Sequence, residues 1–434
     1  MITASAFSFK IKRFLPILVG TFLMVSCGRL EIKKSIDPKS VSFEARYNED
    51  FEGVLYPSML LALANYRGND PMPLFSVTVT APQNNSVLRI VADSTILNYV
   101  SITQETLAKK GTTYTFVPVI KWKFDNMYRL RQQGNIDLTF TCYINDEEVD
   151  VKNIRLNYRP VNECLMSLVG HDGVYHDFRW LFVAYVNEDH PKIDGILSEI
   201  LSQGIVTTFD GSRSEKKVDT QMRAIWYYAL SRGLSYSSIS CTSNGSKKAN
   251  SQHIRFFDDV YNNRQANCID ACVYFSSIMR KVGLQPIIFV EPCHAYLGYY
   301  TDKTRKKIAL LETTITGWVN LPELDNHYDE EKGKLEEKYY NKISKYLSDK
   351  QKADYEKEGM PLEDLKKAVS NNLFDRASEY QKENYNNNKD MYTDSAQAMY
   401  QMLVVEEIRK QISPIPAVEN GEVRTENGEV RTEK

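Results

Sequence analysis

Little in the composition of this chain announces a function. Its 54 Lys and Arg against 56 Asp and Glu leave a net charge of −2, so its electrostatics do not ask for a nucleic-acid partner. Neither C-x-x-C nor H-E-x-x-H occurs, which removes two common signatures of a zinc site; no metal and no cofactor is called for. Seven cysteines form no regular disulfide framework, and domains of this size need none; a Cys142–Cys164 bridge stays open. A bilayer-spanning run is missing at the start of the chain. The apolar stretch from Phe14 to Val25 holds 12 residues and rises only ~18 Å as a helix, against a bilayer core of ~30 Å.

What is present begins with that stretch. Lys10, Lys12 and Arg13 precede it and Ser26-Cys27-Gly28 follows, the layout of a cleaved export signal. Leu23-Met24-Val25-Ser26-Cys27 resembles the lipobox of bacterial lipoproteins, with Met24 where Leu is usual. The resemblance implies that Cys27 is lipidated and that the mature protein is anchored to a membrane in the cell envelope rather than inserted through it. Residues 28–45 are polar and read as a tether. The 27 tyrosines are read as β-sheet core rather than as a binding surface.

From about 75 to 160 the pattern is β. Phe75 to Thr80 and Ile136 to Cys142 alternate with period two, and so does Tyr114 to Ile120, where Pro118 predicts an edge strand or a bulge. An antiparallel, immunoglobulin-like β-sandwich over 46–165 is the expectation. Beyond Arg159-Pro160 the pattern becomes α+β. Ile193 to Leu201 reads as a helix, and Val218, Met222, Ile225, Ala229 and Leu230 make a second, capped by Gly233. Cys268 to Lys281 makes a third, apolar on most sides, with Gly283 past its end. Three β-like runs follow at 286–291, 295–300 and 308–313. Residues 329–416 read as a charged helical extension carrying a stripe of Leu335, Tyr339, Ile343, Tyr346 and Leu347. At 417–434 the seven-residue unit Glu-Asn-Gly-Glu-Val-Arg-Thr occurs twice and predicts a disordered tail.

Three side chains carry chemistry. Cys268 heads its helix, His294 comes 26 residues later and Glu312 18 after that. A thiol, an imidazole and a carboxylate in this order are the parts of a cysteine nucleophile, its base and the group that orients the base. At a helix N-terminus the free N–H groups and the dipole favour a thiolate and offer donors to an oxyanion. His294 and Glu312 flank the charged turn Thr301 to Lys307. Their midpoint is residue 303, so a symmetric hairpin would set them directly opposite, with Cβ atoms roughly 4.5–5.5 Å apart. A one-residue slip would send them to opposite faces.

These residues resemble the transglutaminase-like superfamily of papain-type cysteine enzymes. So do Ala224-Ile225-Trp226-Tyr227-Tyr228 with Leu234-Ser235-Tyr236, Gln265-Ala266-Asn267-Cys268-Ile269-Asp270, Arg280 to Pro286, Cys293-His294-Ala295-Tyr296 and Leu311-Glu312-Thr313-Thr314. The likeness spans roughly 217–320 and departs from the family at Glu312, where Asp is commoner, and at Asn267, where Gly is. It implies a transglutaminase-like domain over 166–328. It also implies Cys268, His294 and Glu312 as nucleophile, base and orienter of amide hydrolysis or acyl transfer on peptide or protein substrates, cell-wall peptides among them. Gln252 and Tyr236 are candidate oxyanion donors, and Asp270 with Arg255 a candidate brace for the helix start. Two other readings compete: a non-catalytic binding or scaffold lipoprotein that keeps the fold, and a structural zinc site from Cys268, Cys272, Cys293 and His294. The remaining histidines, 171, 176, 190, 253 and 327, read as loop or surface residues.

Overall fold

A computed structural model describes residues 37–65, 73–211, 214–238, 248–394 and 397–415, with the backbone of 242–243, 418–419, 422–424 and 430–431. The export signal, Cys27 and most of the tether lie outside the described residues. The described residues are α+β and divide into two compact units, one holding those within 37–48, 73–122 and 137–155, the other those within 49–65, 123–136 and from 156 on.

The first unit is built from antiparallel strands. In one sheet β1 (Phe43–Tyr47) and β5 (Thr113–Phe116) flank β2 (Phe75–Thr80); in the other β3 (Ser86–Ala92) lies between β4 (Ser101–Leu107) and β6 (Gly134–Ile144), which adjoins β7 (Glu147–Tyr158). Period-two alternation puts Val77, Val79, Leu88, Ile90, Phe140 and Cys142 inside, and the Phe75 and Phe140 rings meet across the two sheets at 5.6 Å. The strand expected over 114–120 stops at Phe116. Pro118 has no N–H for a ladder, and beyond it Val119 N and Lys121 N donate to Thr103 Oγ1 and Ser101 Oγ at 2.8 and 2.9 Å. Cys142 is a free thiol here, as Cys164 is in the second unit, so the bridge left open from the sequence is not formed.

In the second unit, β8 (Glu163–Val169) precedes α1 (Lys192–Ser202) and α2 (Glu215–Ser231). Gly233 takes φ +76° just past α2, as its predicted capping role requires. Next come β9 (Ser235–Tyr236), β10 (Ala249–His253), β11 (Gln265–Ala266) and α3 (Cys268–Lys281). The strands β12 (Gln285–Glu291), β13 (His294–Tyr300) and β14 (Ile308–Leu311) form an antiparallel sheet on which α3 packs. The Trp226 ring of α2 ties these layers together, stacked on Phe275 of α3 at 6.0 Å and edge-on to Phe374 at 5.9 Å. Burying each such ring stabilises the unit by roughly 1.5–3 kcal/mol.

Phe374 belongs to α4 (Leu362–Asn388), and β15 (Gln401–Val404) pairs with β12 as the fourth strand of the sheet. The segment read as a helical extension is therefore part of this unit's core. The charged face of α4 hid that role; its buried positions, Leu365, Val369, Leu373 and Ala377, recur every four residues. Most of the tail at 417–434 lies outside the described residues; of those described, Val423 pairs with Arg431 and Arg424 with Val430.

Candidate active site

The first turn of α3 is fixed by reciprocal capping. Asn267 is the N-cap in extended conformation, its side chain accepting from Asp270 N at 2.9 Å while Asp270 Oδ2 accepts from Asn267 N at 3.0 Å. An N-cap glycine would leave this box without its side-chain half. Asp270 is fully buried and also accepts from Arg255 N and Arg255 Nη1, each at 2.8 Å. Burial pushes the carboxyl up, against the pull of Arg255 and the two backbone N–H groups. The brace foreseen from sequence is thus a buried ion pair. It leaves Cys268 as the first helical residue, half-buried and free, where backbone N–H groups are unpaired within the helix.

His294 is the first residue of β13. A two-residue turn precedes it, with Pro292 followed by Cys293 at φ +63°, the pattern of a type II turn in which the second central position favours glycine. His294 Nε2 lies 2.9 Å from Glu312 Oε2, and Cys268 is close enough to the ring to act on its charge. Burial works against the imidazolium, but Cys268 and Glu312 outweigh it and push the ring up to about 10. Glu312 moves the complementary way: burial opposes its charge, yet His294 and the Thr314 donors hold it below the usual carboxylate range. Its Oε1 accepts from Thr314 N at 2.8 Å and Thr314 Oγ1 at 2.6 Å.

The hairpin brings His294 and Glu312 together in a register different from the expected one. Leu297 faces Leu311 and Tyr300 faces Ile308; each pair sums to 608, so the midpoint is 304 rather than 303. β14 ends at Leu311, and Glu312 stands one residue past the ladder, its N–H donating to the Ala377 carbonyl at 3.2 Å; the register extended by that residue sets it across from Tyr296, two places from His294. A two-residue shift keeps both side chains on one face, but diagonal neighbours stand some 7–8 Å apart. The extra methylene of Glu over Asp spans that gap.

The two oxyanion candidates part company. β9 runs parallel to β11 with Tyr236 opposite Ala266, two residues before Cys268. Tyr236 is 44% exposed, and its hydroxyl is pushed up by burial first and then by the charges of Cys268 and Glu312. Gln252 lies on β10 in another sheet, its amide donating to the His253 carbonyl at 3.0 Å, so of the two only Tyr236 adjoins the strand that leads into Cys268. Cys272 is fully buried with Sγ 4.0 Å from Thr313 Oγ1, whereas Cys293 is exposed. Among the described residues no group of three or more His, Cys, Asp or Glu side chains is arranged to hold a metal ion.

Two findings were not read from the sequence. Gln381 of α4 is fully buried and donates its amide to Glu312 Oε2. It falls four residues after Ala377 in the buried stripe of α4, and a polar side chain in such a stripe needs a partner; that was the available signal. His190, expected at the surface, is 2% exposed and lies 3.1 Å from Asp258, whose carboxylate is also held by Lys192 at 2.9 Å. The ring's Nδ1 accepts from Lys192 N at 3.2 Å, while Nε2 faces the Asp258 carboxylate without hydrogen-bond geometry.

No protein-family profile matches the chain, and no curated protein matches it. Among the described residues no helix is long and apolar enough to cross a membrane.

Proposed function

We propose that this is a cysteine-dependent amide hydrolase or acyltransferase of the transglutaminase-like, papain-type class, acting through Cys268, His294 and Glu312. The observation that carries the reading is the 2.9 Å His294–Glu312 contact, with half-buried Cys268 acting on the same ring. The Cys268 thiolate attacks the carbonyl carbon of an amide. The oxyanion is met by helix-start N–H groups, with Tyr236 the nearest side-chain candidate. His294 passes its proton to the leaving amine, and a thioester remains on Sγ. Water, deprotonated by His294, then releases the acid and restores the thiol; an amine in its place gives a transferred acyl group. Peptide hydrolysis is favoured over cross-linking on the strength of the family resemblance alone.

The same proposal places an immunoglobulin-like sandwich ahead of the catalytic domain and anchors the mature chain to a bacterial envelope membrane through lipidated Cys27. Peptides or proteins of that compartment, cell-wall stem peptides included, are its substrates. A panel of peptide amides offered to the wild type and to Cys268→Ser tests it. Amine release by the wild type alone is expected; equal release by both rejects the nucleophile.

A further inference from the structure

The acid of the triad is gripped from the far side by α4. Gln381 and Asn384 stand three residues apart, on one face of that helix. Gln381 donates to Glu312 Oε2, the same oxygen that meets His294. Asn384 Nδ2 reaches Gln381 Oε1 at 3.1 Å and Glu291 Oε1 and Oε2 at 3.0 and 3.1 Å. Tyr392 Oη donates to Glu291 Oε1 at 2.7 Å and lies 3.0 Å from Tyr296 Oη. Glu291 is the residue paired with His294 across the β12–β13 turn. One polar line along α4 thus ties down both the acid and the strand end facing the base.

We infer that Gln381 is a positioning residue of the active site, keeping Glu312 anionic and aimed at His294, so that α4 is part of the catalytic apparatus. This rests on the proposed cysteine chemistry and extends it to a residue 69 positions from the acid. The physical reason is solvation. Glu312 is 2% exposed, and a carboxylate out of water stays charged only where donors replace the water. Thr314 serves Oε1; Oε2 has His294 and Gln381. Without the amide Oε2 keeps only one partner and the carboxylate is free to turn from the ring, so the imidazolium loses the close anion that sustains it. Other titratable groups around the pair are Cys268, Cys272 and Asp270 with Arg255 on the α3 side, Tyr236 on β9, Tyr296 of β13, stacked on the His294 ring at 6.3 Å, and Glu291 with Tyr392 on the α4 side.

The test is the pH titration of the His294 ring by NMR in the full chain, for wild type, Gln381→Met and Gln381→Ala, beside the rate of Cys268 alkylation at pH 6. Met keeps the volume and removes the donor; Ala keeps the comparison readable if Met packs badly. Thermal melts identify the folded variants. The midpoint of His294 should fall by at least one pH unit, with alkylation slowed about tenfold. A wild type with a raised midpoint and folded variants identical to it overturns the role of Gln381 alone. An ordinary midpoint in the wild type instead removes the underlying cysteine chemistry, and this inference with it.

Discussion

Replacing Glu312 by Gln keeps the shape of the acid and removes its charge. The rise of His294 from 6.5 to about 10 corresponds to roughly 5 kcal/mol of preference for the charged ring at 1.36 kcal/mol per pH unit. Cys268 supplies part of this, and an opposite charge within hydrogen-bonding reach typically accounts for 1–3 pH units. The variant should therefore lower the His294 midpoint by about 1–3 pH units, or roughly 1.4–4 kcal/mol. The sign with pH follows from linkage. A ring whose folded value lies above its unfolded 6.5 contributes stability that is complete below pH 6.5 and is lost as pH rises toward about 10. Glu312, held low, contributes above its unfolded value near 4.5 and loses that contribution in acid. Urea denaturation at pH 6 and at pH 10 reads the difference. The wild type should lose stability between these conditions by a few kcal/mol, and Glu312→Gln by distinctly less. Parallel losses in the two proteins, or a wild-type ring titrating near 6.5, would refute the coupling.

Three further outcomes follow from particular contacts. Asp270→Ala strands the Arg255 guanidinium and two backbone N–H groups at a buried position; it should cost about 3–5 kcal/mol in denaturant melts, and a loss under 1 kcal/mol would show that the brace is dispensable. Glu312→Asp keeps the charge but cannot span the diagonal register, so alkylation of Cys268 at pH 6 should slow at least tenfold and the melting temperature should fall; an unchanged rate would contradict the register reading. Cys293→Gly relieves a left-handed backbone at φ +63°, worth about 1 kcal/mol, and should raise the melting temperature by a few degrees; a lower melting temperature would mean that the turn depends on the thiol.

Much of this arrangement was legible before any coordinates. The helix of Cys268 begins and ends where polar Asn267 and Gly283 bracket an apolar run, because capping and left-handed glycine are local effects. The alternation of Phe75–Thr80 was equally local. Three features were not local and escaped. The hairpin register depends on how Thr301 to Lys307 turns, with Arg305 at φ +58°, and no midpoint rule contains that. β15 joins the sheet only through tertiary pairing with β12. Gln381 reaches Glu312 from a helix whose exposed face is so charged that its buried stripe was obscured. His190 was misplaced for a related reason: its partner Asp258 is remote in sequence.

The most direct measurement is the alkylation rate of Cys268 against pH, in the wild type, in His294→Ala and in the urea-unfolded chain, with each labelled cysteine identified by peptide mapping. Rapid labelling of Cys268 is expected in the folded wild type at pH 6, far above the unfolded chain, with that advantage lost in His294→Ala. Folded and unfolded chains reacting alike, with the rate rising only near the ordinary thiol value of ~8.5, would contradict it.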